Sequence, residues 1–344
     1  MFMRDLKQHP IFEATDPTRG RSVRISAPSP KWLNPFWKDG VVIRAAGIPG
    51  ELPHSKFYVA RELLLGGILD GSILPGTTIV EATSGNTGDG LALFCKALGL
   101  PVRLIISAGT VGWKVDKIRV MGSGVEVVLD TIAGETTVER ARREGKLEGH
   151  YNPDQYANPL NPLSHKKYLA PQLFKAAEEI TLLAVASGTM GTSMGLKQYA
   201  EEQGLPTYVL AVILEEKEEV PGIRSLSKIK HDIRQPWKNF FTLEDLEFVK
   251  RHESFLTSFY SWRWVLQSFG PSYGSAHFGA LKRLYKAKRA GTLDRYRSKR
   301  SGMVEVVVLG ADTNAPYLDL FSGELKAEER HTDKEPDLLS LLAA

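Results

Sequence analysis

Short apolar runs alternate with segments of helical periodicity along most of the chain. Residues 77–82, 102–107 and 207–214 are nearly continuous in Val, Ile, Leu, Ala and Thr, which is typical of strands buried on both faces of a parallel sheet. Between such runs, residues 90–99 space their apolar side chains as a helix does. The alternation predicts an α/β protein with mostly parallel sheets flanked by helices.

Two turns rich in Gly, Thr and Ser each separate an apolar run from a helical segment. TSGNTGDG covers residues 83–90 and SGTMGTSMG covers residues 187–195. Small residues let main-chain N–H groups crowd around an anion, and the following helix adds its positive dipole end. Neither turn matches the nucleoside-triphosphate or the dinucleotide glycine motif. From the residues alone, an anion site and a pair of capped tight turns both stay open.

One lysine stands in the first turn of a predicted helix. Ser55 could cap this helix, Lys56 follows it, and Val59, Leu63 and Leu64 form its apolar face. A cation is unfavourable near a helix N-terminus. Burial lowers the pKa of a lysine, which suits a Schiff base or proton transfer. From the residues alone, an ordinary solvated lysine is the alternative.

Composition narrows the class of protein. The 344 residues are 42% hydrophobic and 24% charged, which excludes a largely disordered chain and fits about two domains. No apolar run has the roughly 18 residues of a membrane span, and the charged N-terminal segment with Pro10 does not resemble a secretion signal. The single cysteine, Cys95, excludes an internal disulfide and a multi-cysteine metal site. We expect a cytoplasmic protein without a metal.

Local charge and aromatic content give little indication of function. The formal net charge of +4 is too small to indicate nucleic-acid binding by itself. Residues 283–300 form a basic cluster and residues 236–264 are rich in aromatic side chains. No nucleic-acid motif accompanies them, so we expect a solvated helix face and a packing surface rather than a phosphate-binding patch and a base-stacking platform.

Five motifs together carry a family resemblance. They are PxxSKxxxA at residues 53–60, EATSGNTGDGLA at 81–92, QYANPLNP at 155–162, GTMGT at 188–192 and GPSYGSAHFGAL at 270–281. Their types and order resemble the cysteine synthase/cystathionine β-synthase family of fold type II pyridoxal-phosphate enzymes, over about residues 41–317. The second motif is the most specific match.

The resemblance implies a role for each matching residue. Lys56 would hold pyridoxal 5′-phosphate as a Schiff base and move the Cα proton, Asn86 would hydrogen-bond its 3′-oxygen, and Ser272 would meet its pyridine nitrogen and leave it largely unprotonated. The phosphate would be held by Gly188, Thr189, Met190, Gly191 and Thr192. The substrate would be bound by Thr83, Ser84, Gly85, Thr87, Gln155 and Gly222. Arg224 would bind a substrate phosphate, with a surface arginine as the alternative.

The implied organisation is a smaller, mobile domain at residues 50–151 with the substrate loop, and a larger domain of residues 1–49 and 152–344 with the phosphate-binding loop. The implied reaction is β-replacement on a serine-derived amino acid, first of all cysteine formation from O-acetylserine or O-phosphoserine and sulfide. The partners would be that amino acid and a thiol or sulfide nucleophile, within a homodimer, with no nucleic acid or membrane.

Several departures from the family pattern keep alternatives open. Phe57 and Tyr58 follow the lysine, Tyr273 replaces a serine, and ADTNAPY stands at residues 311–317. These departures leave the substrate undetermined. The alternatives are formation of cystathionine or 2,3-diaminopropionate, a serine or threonine dehydratase, and a catalytically silent relative that acts as a binding protein.

Overall fold

The structure is a computed structural model. It describes residues 6–17, 23–48, 54–83, 85–107, 115–116, 125–130, 134–233, 240–265, 268–313, 317–326, 329–330 and 337–343. The strands in these residues are β1 (Arg24–Ile25), β2 (Val41–Gly47), β3 (Thr78–Ala82), β4 (Val102–Ser107), β5 (Val125–Asp130), β6 (His150–Tyr151), β7 (Leu182–Ala186), β8 (Tyr208–Leu214), β9 (Leu246–Val249) and β10 (Val304–Gly310).

The α-helices are α1 (Pro10–Ala14), α2 (Lys56–Leu69), α3 (Asn86–Leu98), α4 (Thr137–Glu144), α5 (Leu160–Ser164), α6 (Ala170–Ala176), α7 (Gly191–Glu202), α8 (Leu226–Asp232), α9 (Arg251–Val265), α10 (Pro271–Arg289), α11 (Leu318–Glu324) and α12 (Leu338–Ala343). A π-helical turn, His165–Leu169, lies between α5 and α6. In the described part of the chain, no helix is both long and apolar enough to span a membrane.

The chain divides into two compact units. Unit 1 comprises Met1–Gly20, Ser55–Tyr168 and Asp232–Gln235, and unit 2 comprises Arg21–His54, Leu169–His231 and Pro236–Ala344. The smaller domain predicted at residues 50–151, and its mobility, stay predictions.

Unit 1 contains a parallel sheet with the strand order β5-β4-β3-β6. Ile79 of β3 pairs with Val102 of β4, which pairs with Val125 of β5. The Val and Ile side chains of β3 and β4 are buried, as the continuous apolar pattern predicts. At its carboxyl end β3 leads directly into the first Gly/Thr turn and α3, so the sheet positions that turn.

Unit 2 contains a sheet with the order β1-β2-β10-β7-β8-β9. Its strands pair in parallel, except for the short β1, which is antiparallel to β2. Helix α10 packs on this sheet where Gly279 faces Val212, since a Cβ on Gly279 would lie 2.6 Å from a Val212 methyl carbon. The prediction of two mostly parallel sheets flanked by helices is confirmed.

Parts of the aromatic and basic segments lie in the core of unit 2 or pair with acidic groups. Phe255 of α9 is fully buried, and its ring packs edge-on against that of Phe321 with 5.3 Å between the ring centroids. In the basic cluster, Arg283 pairs with Glu247, and Lys288 pairs with Asp39. Residues 234–239 lie outside the described residues.

Candidate active site

Lys56 is the first residue of α2 and is half-buried. The two residues after it are core residues, with Phe57 and Tyr58 exposed by 3% and 2%. The ring centroids of Phe57 and Phe94 are 6.4 Å apart, and those of Tyr58 and Tyr168 are 6.1 Å apart. These aromatic departures from the family pattern therefore anchor the start of α2 in the core of unit 1.

Helix α3 approaches α2 closely beside Lys56. A Cβ on Gly90 would lie 2.8 Å from the Cβ of Ala60 and 3.3 Å from the carbonyl oxygen of Lys56. The capping hydrogen bond expected of Ser55 is not formed; its hydroxyl is buried and has no hydrogen-bond partner among the described residues. The lysine is thus held by helix packing rather than by a side-chain cap.

A buried histidine lies near this lysine. His165 is fully buried at the start of the π-helical turn. Burial, and in second place the nearby Lys56 ammonium, hold the pKa of His165 well below its ordinary value of 6.5. The imidazole is therefore neutral at physiological pH. Sequence reasoning missed His165, because no spacing relates it to Lys56 before the chain is folded.

The first Gly/Thr turn is fastened to the segment around Gln155. The Thr87 hydroxyl donates to Oε1 of Gln155 at 2.8 Å, and Nε2 of Gln155 donates to the carbonyl of Ala82 at 3.2 Å. The hydroxyl of Thr83 accepts from the N–H of Gly85 at 3.3 Å. The structure thus brings Thr83, Thr87 and Gln155 together, with Gly85 and Asn86 at the start of α3. Ser84 lies outside the described residues.

Glu81 lies directly behind this turn and is 1% exposed. Its two carboxyl oxygens accept from the N–H groups of Ala82 and Gln155 at 3.0 and 3.2 Å. Burial, followed by the charge of Asp154, raises the pKa of Glu81 to about 8; the two backbone hydrogen bonds and Arg142 act in the opposite direction. Glu81 begins the most specific motif, but its burial and raised pKa depend on contacts that the motif does not show.

The second Gly/Thr turn has a main-chain geometry that depends on glycine. Met190 has a positive φ of 63° and precedes α7, and its side chain makes no capping hydrogen bond. A Cβ on Gly188 would lie 2.2 Å from the carbonyl oxygen of Gly222. Only glycine fits there, and the main chain can then turn its N–H groups toward a ligand. Main-chain N–H groups and threonine hydroxyls before a helix N-terminus are the kinds of donors that a phosphate requires.

Gly222 and Arg224 reach this turn through the main chain. Gly222 has a positive φ of 81°, and its carbonyl faces Gly188. The N–H of Arg224 donates to the carbonyl of Ser187 at 3.3 Å, and the carbonyl of Arg224 accepts from the N–H of Leu214 at 3.0 Å. The structure therefore brings Gly222 and Arg224 to this turn, and their roles in binding substrate stay predictions.

Ser272 lies in the first turn of α10, next to an acidic residue. Its hydroxyl donates to Oδ1 of Asp312 at 3.1 Å, and the hydroxyl of Tyr317 donates to Oδ2 at 2.7 Å. Asp312 also lines a cavity of about 300 Å³ whose wall includes Phe269 and Gly310. The segment at residues 311–317 thus contains a carboxylate that accepts a hydrogen bond from a predicted cofactor residue.

The predicted residues fall in both units. Unit 1 holds Lys56, Thr83, Gly85, Asn86, Thr87 and Gln155, and unit 2 holds Gly188, Thr189, Met190, Gly191, Thr192, Gly222, Arg224 and Ser272. Unit 1 offers a lysine and a turn with hydroxyl and amide groups, and unit 2 offers a glycine turn before a helix; each is a kind of group that pyridoxal phosphate or an amino acid requires. The residues fit this cofactor.

A family model described as pyridoxal-phosphate dependent enzyme matches residues 56–243. The chain belongs to this family. The match covers the candidate lysine and both Gly/Thr turns, so the resemblance stated from the motifs is confirmed, and so is the prediction of pyridoxal phosphate as the cofactor.

Curated relatives include two cysteine synthases B. The chain is 33% identical to that of Escherichia coli over 162 residues, which are 45% of this chain and 51% of the relative. It is 33% identical to that of Pseudomonas aeruginosa over 205 residues, which are 53% of this chain and 66% of the relative. The match therefore spans about half to two thirds of the length of these relatives.

Solved structures show the same fold at low identity. A lysine-to-alanine mutant of O-ureido-L-serine synthase bound to O-ureido-L-serine has a TM-score of 0.67 and 18% identity, with coverage of 93% of this chain and 94% of that one. A cysteine synthase from Entamoeba histolytica has a TM-score of 0.67 and 19% identity, with coverage of 93% and 91%. These likenesses support the α/β fold.

Proposed function

We propose that the protein performs β-replacement on a serine-derived amino acid, and that it forms cysteine from O-acetylserine or O-phosphoserine and sulfide. The carrying observation is the hydrogen bond from Thr87 to Gln155 at the start of α3. This bond holds hydroxyl and amide groups at a helix N-terminus, where a substrate carboxylate is stabilised by N–H donors and by the helix dipole. The similarity to cysteine synthases B supports the choice of sulfide as nucleophile.

Lys56 is the proposed attachment point of the cofactor. Bound pyridoxal phosphate supplies an electron sink for the bonds broken at the substrate's Cα and Cβ. The Lys56 amine removes the Cα proton and later returns it. The neutral His165 beside it adds no second positive charge, so the amine can take up and release this proton.

The remaining residues bind and orient. We propose that the turn at residues 188–192 holds the cofactor phosphate through main-chain N–H groups and threonine hydroxyls, and that Asn86 binds the ring oxygen. Thr83, Gly85, Thr87 and Gln155 orient the substrate carboxylate, with Ser84 assigned by the motif alone. Gly222 shapes the turn, and Arg224 binds the phosphate of O-phosphoserine.

The assembly and location follow the same resemblance. We propose a homodimer in the cytoplasm whose small-molecule partners are the amino acid and sulfide. Light scattering of the purified chain gives its mass in solution, and a mass of one protomer would contradict the dimer.

The decisive experiment compares Lys56→Ala with Lys96→Ala, an exposed lysine of the same unit. Wild type and Lys96→Ala are expected to bind pyridoxal phosphate with the visible absorbance of a lysine imine, and Lys56→Ala is expected to lose that absorbance. A protein that stays colourless with added pyridoxal phosphate overturns the proposal.

The substrate is tested with a donor panel. Serine, threonine, O-acetylserine and O-phosphoserine are each supplied with sulfide, and the product is identified by mass. Cysteine is expected from one of the activated donors. Arg224→Ala is expected to weaken use of O-phosphoserine far more than use of O-acetylserine. Equal losses with both donors would contradict the role of Arg224, and the absence of cysteine with every donor would contradict the reaction.

A further inference from the structure

One edge of β3 is completed by side chains of the segment after β6. Strand β6 is two residues long and pairs with the start of β3. Further along β3, the side-chain amide of Asn152 donates to the carbonyl of Val80 at 2.6 Å, and that of Gln155 donates to the carbonyl of Ala82 at 3.2 Å. These side chains satisfy main-chain groups that a longer neighbouring strand would otherwise satisfy.

Glu81 joins this edge to the same segment through two main-chain donors. Its Oε1 accepts from the N–H of Ala82 at 3.0 Å, and its Oε2 accepts from the N–H of Gln155 at 3.2 Å. A main-chain N–H can only donate, so the direction of both hydrogen bonds is fixed. Ala82 directly precedes Thr83, and Gln155 accepts from the Thr87 hydroxyl. Glu81 therefore holds the main chain on both sides of the residues proposed to bind the substrate carboxylate.

We propose that Glu81 is a positioning residue for the substrate and that it must be neutral for the substrate carboxylate to bind. This inference rests on the proposed function, which assigns Thr83, Thr87 and Gln155 to that carboxylate. Glu81 acts through the main chain of Gln155 and does not touch the substrate.

The physical reason is the repulsion between two carboxylates in a site without water. Glu81 is 1% exposed, so solvent does not screen a charge on it from an anion bound on the other side of Gln155. A protonated carboxyl group keeps acceptor capacity for the main-chain N–H groups and adds no charge. By linkage, a bound substrate carboxylate favours the proton on Glu81 as much as that proton favours the substrate.

The groups that face Glu81 set the pH at which its charge appears. Burial, and after it the charge of Asp154, raises the pKa of Glu81 to about 8, whereas Arg142 of α4 lowers it. Arg142 and Asp154 form an ion pair of 2.8 Å. The Tyr151 phenol of β6 is neutral in this range, because burial first of all raises its pKa to about 12.

The other charged side chains of β4 and α4 pair with groups other than Glu81. They are Arg103 and Arg140 with Glu144, Arg143 with Glu135, and Glu139 with Thr136. The charge of Glu81 is therefore controlled chiefly by its burial and by the ion pair of Arg142 and Asp154.

The test measures how pH changes the affinity of the holoprotein for serine, which is followed by the visible absorbance of the bound cofactor. Wild type and Glu81→Gln are titrated, and the Kd of wild type is divided by that of the variant, so that the titration of serine itself cancels. The ratio is expected to rise about five- to tenfold from about pH 7 to about pH 9, because only wild type gains a charge at this position. Glu148→Gln, at an exposed position of the same unit, is the control and is expected to give a constant ratio.

A second pair of variants separates charge from packing. Asp154→Asn and Arg142→Gln each break the same ion pair, but they have opposite effects on the pKa of Glu81. The affinity of Asp154→Asn for serine is expected to begin falling at a lower pH than that of wild type, and the affinity of Arg142→Gln at a higher pH. Loss of packing alone would shift both variants in the same direction.

The outcomes distinguish this inference from the proposed function. If wild type shows no spectral response to pyridoxal phosphate or to serine, the proposed function fails, and the role of Glu81 fails with it. If wild type responds but the ratio to Glu81→Gln is constant with pH, or if Asp154→Asn and Arg142→Gln shift the profile in the same direction or not at all, the proposed function stands and the role of Glu81 is overturned.

Discussion

Thr87 and Gln155 are 68 positions apart in the chain, and the hydroxyl of Thr87 donates to Oε1 of Gln155 at 2.8 Å. Both side chains are buried. The bond joins the first turn of α3 to the segment after β6 within unit 1. It fixes the geometry of the proposed carboxylate-binding turn without using any charged side chain.

Replacing Thr87 by Val keeps the shape of the side chain and removes the donor. Oε1 of Gln155 is then buried without this partner, and an unsatisfied buried acceptor costs about 1–3 kcal/mol. We expect urea unfolding to show a loss of this size for Thr87→Val. Thr137→Val, at a half-exposed position of α4, is the control, and an equal loss in both variants would contradict the argument.

Gly188→Ala tests the phosphate-binding turn. The added Cβ would lie 2.2 Å from a main-chain oxygen of Gly222, so the turn must move. We expect the affinity for pyridoxal phosphate to fall at least about tenfold, which is about 1.4 kcal/mol, as measured by equilibrium titration of the apoprotein. Gly323→Ala places its Cβ in open space and is expected to leave the affinity unchanged. Unchanged affinity in Gly188→Ala would contradict the proposed role of the turn.

The raised pKa of Glu81 predicts that stability falls as the pH rises from 4.5 to about 8. Its pKa is raised from 4.5 to about 8 in the folded protein, chiefly by burial. Between these values the folded state keeps a proton that the unfolded state releases, so the stabilisation is complete below pH 4.5 and is lost as the pH rises to about 8. The free energy of unfolding is expected to fall with pH by up to about 1.4 kcal/mol per unit from this group.

The measurement is urea unfolding across this pH range for wild type and Glu81→Gln. The variant has no titratable group at this position, so only wild type is expected to lose stability through it. The free energy of unfolding of wild type minus that of Glu81→Gln is therefore expected to fall as the pH rises. Glu148→Gln, at an exposed position of the same unit, gives the control slope. Parallel pH profiles for wild type and Glu81→Gln would show that Glu81 does not carry the effect.

His277 predicts the opposite behaviour in acid. Its Nε2 lies 2.9 Å from the carbonyl of Leu33, and its Nδ1 lies 3.0 Å from the Tyr273 hydroxyl. Burial lowers the pKa of His277 from 6.5 to about 4, against the effect of the Leu33 carbonyl. Between these pH values the unfolded state therefore binds a proton that the folded state does not bind, and stability is lost as the pH falls from 6.5 to about 4.

This acid effect is expected to be absent in His277→Gln. Acid titration followed by circular dichroism should show a shallower pH dependence for this variant than for wild type and for His150→Gln, which changes a half-exposed histidine. The same acid slope in His277→Gln as in wild type would assign the transition to other groups.

Much of the fold follows from local pattern. The continuous apolar runs at residues 77–82, 102–107 and 207–214 became β3, β4 and β8, because strands buried on both faces need apolar residues at consecutive positions. Gln155, Gly188 and Gly222 lie outside the helices and strands, and Thr87 lies in the first turn of α3; the functional roles of these residues stay predictions. The Ser55 cap was wrong, since the packing of α3 against α2 determines how that helix begins.

The chain by itself determined the two parallel sheets, the two glycine turns and the lysine, because periodicity and small-residue turns are local properties. Only the tertiary structure decided what Glu81, His165 and Asp312 do. Burial raises the pKa of Glu81 to about 8, burial near Lys56 lowers the pKa of His165, and Asp312 accepts a hydrogen bond from Ser272, 40 positions away in the chain. Desolvation and hydrogen-bond direction depend on neighbours that are distant in the sequence, so they exist only once the chain is folded.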